Sequence, residues 1–295
     1  MKGNPGAGKS ILMKYLLNDH DGLLQNHISS SSRVVRIGFF FRKTRSLLER
    51  TASSMLRAIL AQLFQREKKA YQKSLSALRS LRSPHRTAEH IKWSDRQLLS
   101  VFGSICQGLW VEGVPLRLLI FLDALDESLD LEMEAVLSCL QRLLSTARKH
   151  NVLLGICISS RPLPALDREV DFASGCISLQ RENHDAIYTY IRSELASRRD
   201  IRRGEDYYGR FAEKVVERAD GVFLWVALVV PRLRKKIDNG GTIRELEALL
   251  QDIPNDLKEL FIDILQRIPG PELGITMRML QLATLVQRRL TLEEF

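Results

Sequence analysis

The sequence has little cysteine, and its four thiols show no spacing typical of a metal site or a disulfide framework. Cys106, Cys139, Cys157 and Cys176 lie among apolar neighbours, without a C-x-x-C pair. This pattern is typical of buried free thiols in a reducing compartment. Long apolar runs are also absent: the longest covers residues 222–230, far short of the ~20 residues that a membrane-spanning helix needs. No secretory leader can be recognised, because a glycine-rich segment starts at the third residue. We therefore expect a cytoplasmic protein without a membrane span.

Acidic residues are scarce in one part of the chain. The net charge is +9, and residues 42–86 hold twelve Lys and Arg against Glu49 and Glu67, which accounts for the whole excess. Such a segment is either a patch for nucleic acid or anionic lipid, or the solvated face of two helices. Apolar residues at helical spacing separate these charges, and no aromatic-interleaved surface accompanies them. We favour the solvated face and predict no specific nucleic-acid partner.

The amino-terminal residues, MKGNPGAGKS, contain the spacing G-x-x-x-x-G-K-[ST] of a phosphate-binding loop. Glycines let the backbone curve around phosphates with its N–H groups pointing inward, at a helix N-terminus that favours negative charge. Lys9 is predicted to contact the β- and γ-phosphates, and the Ser10 hydroxyl to bind Mg²⁺. The predicted nucleotide-binding segment consists of Gly3, Asn4, Pro5, Gly6, Ala7, Gly8, Lys9 and Ser10.

The strand that ordinarily precedes such a loop is missing, because only Met1 and Lys2 stand before it. We expect that strand to be central in the sheet, as a common neighbour of the strands that end at Asp123 and Ser159. Its loss would leave several buried N–H and C=O groups unpaired, at about 1–3 kcal/mol each. The sequence thus predicts a chain of low solubility that binds ATP weakly.

A second motif, LLIFLDALDES, places carboxylates after a buried strand. The strand is predicted over residues 116–122 and ends at Asp123. Ligands of open α/β sheets lie at the carboxyl ends of strands, so Asp123 is predicted to hold the Mg²⁺ shell. Asp126 and Glu127 follow on the turn and are candidates to polarise or orient a water against the γ-phosphate. The alternative is that both acids merely cap the next helix.

The third motif is CISSRP, which again follows a strand, predicted over residues 152–158 and buried. Ser159, Ser160 and Arg161 come at its end, and Pro162 stops it. Arg161 is predicted to sense the charge of the γ-phosphate.

The pattern along the chain alternates between strands and helices before it becomes helical. A strand over residues 34–41, a helix over 47–64, a helix from 94 and a helix over 131–148 accompany the two buried strands, and a third run at 176–179 ends the alternation. This order predicts right-handed βαβ units and a parallel sheet. From residue 183 onwards only amphipathic helices are indicated. The predicted fold is an α/β domain with a parallel sheet flanked by helices, followed by an all-α domain.

Together, GNPGAGKS, LLIFLDALDES and CISSRP resemble the NACHT family of STAND-type P-loop NTPases. Those proteins have a small residue after the strand-end aspartate and then an acidic pair, matched here by Ala124, Asp126 and Glu127. FFFRKT, GVFLWVALVV, IPNDLKELFIDILQRI and the terminal RRLTLEEF resemble the fungal branch with nephrocystin-like modules. The resemblance covers nearly the whole chain.

The resemblance implies a nucleotide-operated switch in signalling of the innate-immunity or heterokaryon-incompatibility type. Family members hold ADP when closed and exchange it for ATP to self-associate. Its domain pattern implies a P-loop domain over residues 1–180, a helical domain over 181–270 and the start of a winged helix over 271–295. The chain departs from the pattern at both ends: the first strand is missing, the winged helix is incomplete, and effector and sensor segments are absent. It therefore resembles an excised core or a truncated gene model.

Two other functions remain open. One is an AAA+-like or nucleic-acid-dependent ATPase motor that binds nucleic acid through the basic segment. The other is a remnant that keeps the residues of the fold but binds no nucleotide. ATP or ADP with Mg²⁺ is the expected ligand, because no [NT]-K-x-D string for guanine follows a late strand. Any NTP hydrolysis is expected to be slow and to reset the switch.

Overall fold

The structure is a computed structural model that describes residues 1–18, 22, 33–43, 50–81, 93–108, 116–128, 132–162, 175–195 and 209–286. The chain divides into two compact units. One, the sheet unit, comprises residues 10–163, and the other, the helical unit, comprises residues 1–9 and 164–295.

The sheet unit alternates strands and helices in the predicted order. Its first helix begins at Lys9, the last residue of the helical unit. Its elements are α1 (Lys9–Asn18), β1 (Arg33–Phe40), α2 (Ala52–Arg66), α3 (Lys68–Leu81), α4 (Asp95–Gly108), β2 (Leu116–Asp123), α5 (Met133–Lys149) and β3 (Leu153–Ile158).

The three strands form a parallel sheet in the order β1-β2-β3. Asp123 at the end of β2 stands opposite Phe40, and Leu122 stands opposite Ile158 of β3. The strands that end near Asp123 and Ser159 therefore pair directly with each other. The expectation that a missing strand lies between them is wrong, and the unpaired backbone groups predicted for that gap do not arise there.

The strands differ in burial. β2 carries Leu118, Ile120 and Leu122 on one face at no more than 1% exposure, and Phe121 on the other face is 4% exposed, as predicted for a strand covered on both faces. β3 is only half-buried, and Leu153 is 51% exposed. The prediction of a fully buried β3 is wrong, because within the described residues only β2 pairs with it.

Capping residues begin two of the flanking helices. Thr51 accepts from the Ser54 N–H and forms a capping box at the start of α2. The Gln97 N–H donates to the Ser94 hydroxyl at 3.4 Å, as the predicted cap of α4 requires. The buried face of α2 packs on β1, α4 and α5. That face consists of Ala52, Met55, Leu56, Ile59, Leu60 and Leu63.

The helical unit contains seven further helices among the described residues. They are α6 (Leu179–Glu182), α7 (His184–Leu195), α8 (Gly209–Ala219), α9 (Phe223–Asp238), α10 (Ile243–Asp252), α11 (Leu257–Gln266) and α12 (Gly270–Leu285). Trp225 is fully buried at the centre of their core, and its Nε1 donates to the Pro254 carbonyl at 2.7 Å. The apolar run at residues 222–230 thus contributes Trp225, Val226, Val229 and Val230 to the core.

The predicted third strand over residues 176–179 is wrong. Ser178 makes a single parallel bridge with Lys2, and α6 begins at Leu179. The Lys2 N–H donates to the Ile177 carbonyl and the Leu179 N–H donates to the Lys2 carbonyl, both at 2.8 Å. The chain turns into the glycine-rich loop after Lys2, so the pairing stops after one bridge.

α12 falls in the predicted winged-helix segment, most of whose remainder, residues 287–295, lies outside the described residues. The helix has no buried residue, and Ile275 and Leu285 are exposed. The winged helix stays a prediction. In the part of the chain that the structure describes, no helix is long and apolar enough to cross a membrane.

Candidate functional site

The glycine-rich loop is curved by two residues with positive φ. Gly6 has φ 81° and Gly8 has φ 94°, values that L side chains rarely adopt. The two glycines differ in their surroundings. A Cβ on Gly6 would lie 2.9 Å from the Leu224 Cβ, whereas a Cβ on Gly8 would meet no atom within 4 Å. One side of the loop is therefore packed against the helical unit, and the other side is open at Gly8.

Lys9 closes the loop on itself. Its Nζ donates to the Gly3 carbonyl at 2.6 Å and to the Asn4 carbonyl at 3.0 Å. The Ala7 N–H also donates to the Asn4 carbonyl, at 3.2 Å. The ammonium group is thus held against the backbone of the loop at the N-terminus of α1. Phosphate-binding loops place their lysine in this way, because it must meet the ligand that the loop surrounds.

Asn183 is a contact of the loop that the sequence reasoning missed. This side chain is 7% exposed, and its Nδ2 donates to the Ala7 carbonyl at 2.8 Å and to the Gly221 carbonyl at 2.9 Å. The Leu224 N–H donates to the Gly6 carbonyl at 3.0 Å. The only sequence signal was a polar residue before the amphipathic helix that begins at His184, which is typical of an ordinary helix start.

In the sheet unit, Asp123 is a buried carboxylate at the carboxyl end of β2. It is 3% exposed, and its Oδ1 accepts from the Ser159 hydroxyl at the end of β3. The Ser159 oxygen in turn accepts from the Ala124 N–H at 3.2 Å. No cationic side chain among the described residues pairs with Asp123. A buried carboxylate in this position could hold a metal ion, because buried carboxylates are normally paired with a cation or coordinate a metal.

A left-handed residue positions the acidic pair. Ala124 has φ 54° and ψ 49°, and a single 3₁₀ turn, Leu125–Glu127, follows it. Asp126 accepts from the Arg161 N–H at 3.1 Å, and its Oδ2 lies 3.1 Å from the Arg161 Nε. Two residues predicted to act separately on the nucleotide are therefore bound to each other.

Glu127 contacts the loop that follows β1. Its Oε2 accepts from the Lys43 N–H at 2.9 Å, and its carbonyl accepts from the Arg50 Nε at 2.8 Å. Neither acid caps α5, whose preceding residue, Glu132, makes no side-chain capping bond. The acids instead hold the segments after β1 and β3 against the end of β2.

Each unit contributes part of the predicted site. Gly3 to Lys9 belong to the helical unit, whereas Ser10, Asp123, Asp126, Glu127 and Arg161 belong to the sheet unit. Ser10 is exposed as the second residue of α1. Within the described residues, no cluster of three His, Cys, Asp or Glu forms a candidate metal site.

The buried thiols have the properties of structural cysteines. Burial raises the pKa of Cys106 to about 12 and that of Cys139 to about 11. Both thiols stay protonated at neutral pH, so neither is a nucleophile. Cys176, by contrast, is exposed.

The parallel α/β sheet, the glycine-rich loop that opens a helix, and the carboxylates at the end of β2 together define a NACHT-like protein. Residues 1–161 match the family described as Nephrocystin 3, N-terminal, and the chain belongs to that family. The whole chain also aligns with the vegetative incompatibility protein HET-E-1 of Podospora anserina, at 24% identity over 310 positions. It spans 20% of the length of that relative.

Proposed function

We propose that this chain is the nucleotide-binding part of a STAND/NACHT-type signalling switch, with a P-loop that binds ATP or ADP and a slow Mg²⁺-dependent hydrolysis that resets it. The observation that carries the proposal is the asymmetry of the glycine-rich loop. The helical unit covers the loop at Gly6, whereas Gly8 is open at the N-terminus of α1. An opening of this kind suits a phosphate group, because N–H donors and the helix dipole both favour an anion there.

Lys9 supplies the positive charge for the phosphate chain. Its Nζ contacts the Gly3 and Asn4 carbonyls, so the ammonium is placed over the loop. Its hydrogen bonds to neutral carbonyls are weaker than its bonds to phosphate oxygens would be, because there the donor and the acceptor both carry charge. Binding of the β- and γ-phosphates would therefore replace or supplement these contacts without a large rearrangement of the chain.

Asp123 and Ser10 fit a Mg²⁺ ion. The carboxylate is buried and, among the described residues, paired only with the Ser159 hydroxyl. Magnesium is usually held by one or two protein oxygens together with substrate phosphates and waters, which matches this small donor set. The ion would neutralise charge on the phosphates.

Asp126, Glu127 and Arg161 would catalyse the hydrolysis. Glu127 is held by the Lys43 N–H through one oxygen, which leaves the other oxygen available to orient a water. Arg161 is half-exposed beside Asp126 and would reach a γ-phosphate by giving up part of that contact. These roles imply slow turnover, because the residues must leave structural contacts before they act.

The switch itself would follow from the exchange of ADP for ATP, which would shift the equilibrium between a closed form and one that self-associates. The resemblance to HET-E-1 supports a role in incompatibility signalling inside a reducing compartment. Because the chain matches a fifth of that relative, self-association and signal output would belong to a longer protein. A winged helix beginning near residue 271 would close over the nucleotide.

Calorimetric titration of ATP and ADP tests this function. Lys9→Ala should abolish binding, whereas the matched variant Lys14→Ala, on the exposed side of the same helix, should bind as the wild-type chain does. Circular dichroism of both variants establishes that they are folded. Equal ATP affinity in Lys9→Ala and wild type, or no binding by the wild type, would refute the proposal and favour a remnant of the fold.

A motor that tracks nucleic acid is the second candidate, suggested by the basic segment at residues 42–86. Several of its cations make intramolecular contacts instead: Arg66 donates to the Arg36 carbonyl, Arg57 to the Trp93 carbonyl and Arg50 to the Glu127 carbonyl. This use of the guanidinium groups favours a structural role. Strong stimulation of ATP turnover by DNA or RNA at physiological salt would instead support the motor.

A further inference from the structure

Asn183 lies where three backbone segments of the helical unit meet. It joins α6 to α7, its Nδ2 contacts Ala7 of the glycine-rich loop, and the same nitrogen contacts Gly221 in the turn before α9. A Cβ on Gly221 would lie 2.3 Å from the Gln180 carbonyl oxygen, so α6 and this turn are in close backbone contact. The side chain is therefore enclosed between the loop and two helix starts.

The two contacts of Asn183 use its donor group completely. A primary amide nitrogen carries two protons, and each is given to one carbonyl oxygen. Because a carbonyl cannot donate, only the NH₂ group, and not Oδ1, can serve these two partners. Serine, alanine or aspartate at this position would leave at least one of the carbonyls without its donor. A buried carbonyl that loses its partner destabilises the arrangement that requires it.

The Ala7 contact also fixes the direction of the next N–H group. The peptide between Ala7 and Gly8 is planar and trans, so its N–H points away from its carbonyl. The carbonyl points at Asn183, within the helical unit, and the Gly8 N–H consequently points to the other side of the loop. Among the described residues, nothing accepts a hydrogen bond from that N–H, and the space beside Gly8 is open.

We propose that Asn183 is a positioning residue for phosphate binding. Its bond to the Ala7 carbonyl orients the Gly8 N–H towards the phosphate, and its bond to the Gly221 carbonyl connects the loop to the start of α9. The inference rests on the proposed function. It follows that occupation of the loop by phosphate stabilises the turn at Gly221 and the first residues of α9, because one amide group connects them. The Leu224 N–H, bonded to the Gly6 carbonyl, provides a parallel connection between the same segments.

The first test compares Asn183→Ala and Asn183→Asp with Leu246→Ala. The control removes a fully buried side chain of α10 in the core of the same unit but leaves the Asn183 contacts unchanged. Each variant is titrated with ATP and with inorganic tripolyphosphate, at a temperature where circular dichroism shows it to be folded. We expect both Asn183 variants to lose at least about tenfold in affinity for either ligand. Leu246→Ala should lower the Tm but keep both affinities within about twofold of wild type.

Wild-type affinity for tripolyphosphate in a folded Asn183→Ala variant would overturn this inference while leaving the proposed function intact. The same holds for equal losses in Asn183→Ala and Leu246→Ala, because these would reflect stability alone. If the wild-type chain itself binds neither ligand, the proposed function fails, and the positioning role fails with it.

Hydrogen exchange of the wild-type chain gives a second test that does not depend on the folding of a variant. Saturating tripolyphosphate should slow amide exchange in residues 221–226 as well as in the loop at residues 3–8. The amides of α10, which are remote from Asn183 in sequence and contact neither carbonyl, serve as the internal control. Protection of the loop without any change at residues 221–226 would contradict the connection through Asn183.

Discussion

Arg161 contacts Asp126 through both its backbone and its side chain. The Arg161 N–H donates to Oδ1 and the guanidinium Nε lies beside Oδ2, each at 3.1 Å. Under the proposed function, an ATP γ-phosphate that binds Arg161 would compete with Asp126 for this guanidinium, whereas ADP would not.

The first prediction is that Asp126→Asn raises the ratio of ATP affinity to ADP affinity by about three- to fivefold, since a half-exposed ion pair is worth up to ~1 kcal/mol. The asparagine Oδ1 can still accept from the Arg161 N–H, so the turn should be preserved. Arg161→Ala should lower the same ratio, and Arg142→Ala on the exposed face of α5 should leave it unchanged. Calorimetry with both nucleotides measures the ratios. Identical ratios in Asp126→Asn and wild type would show that the pair is structural only.

The second prediction concerns the bond from Ser159 to Asp123. Ser159→Ala removes the hydroxyl that orients the carboxylate, so the Mg²⁺ concentration for half-maximal ATP binding should rise about fivefold. Binding of ADP without Mg²⁺ should not change. Ser160→Ala is the control, because that buried hydroxyl donates to the Arg161 carbonyl at 2.7 Å and does not contact Asp123. Identical Mg²⁺ dependence in the two serine variants would argue against the role of Ser159.

The third prediction separates the charge of Glu127 from its contact with Lys43. A glutamine at this position can still accept from the Lys43 N–H, so Glu127→Gln should retain the loop and bind ATP normally. Hydrolysis should fall about 10²-fold, the usual contribution of a positioned general base. Phosphate release under single-turnover conditions measures this rate, with Glu134→Gln on exposed α5 as the control. An unchanged rate would assign Glu127 a structural role alone.

The fourth prediction follows from the single bridge between Lys2 and Ser178. Additional strand-forming residues in front of Met1 would continue that parallel pairing along residues 175–177. A segment of about eight β-branched and apolar residues should raise the Tm and the ATP affinity, because it anchors the loop through Lys2. A Gly/Ser segment of the same length is the control. Equal Tm values in the two extended chains would contradict this role of the bridge.

The fifth prediction uses the raised pKa of the Cys106 thiol, whose burial brings it to about 12 from 9.0. A thiol with a raised folded-state pKa binds its proton more tightly when folded, so it contributes stability below pH 9. That contribution is lost progressively as the pH rises from 9 towards 12, because only the unfolded state ionises there. Urea unfolding of wild type and Cys106→Ala should show a steeper loss of stability in the wild type above pH 9. Parallel pH profiles would contradict the assignment.

The helix faces and turn residues of this protein were readable from the sequence because they depend on near neighbours. The start of α4 near Ser94 and the apolar stripe of α2 follow from periodicity and from local hydrogen bonds, whereas the cap of α2 at Thr51 lies inside the predicted helix over residues 47–64. The glycine-rich loop was equally visible, since positive φ at Gly6 and Gly8 restricts the residue type at each position.

Tertiary structure decided what depends on pairing between distant segments. The direct pairing of β2 with β3, the half-buried state of β3 and the single bridge at Ser178 could not be read from apolar runs, because strand order is a property of the sheet. The contact of Asp126 with Arg161 and of Asn183 with Ala7 joins residues far apart in the chain. The sequence by itself determined which residues have the chemistry to bind phosphate and Mg²⁺. Only the fold decided which of these residues bond to one another, as Asp126 does to Arg161. Hydrogen bonds between remote segments leave no periodic pattern in the sequence, so such contacts could not be predicted.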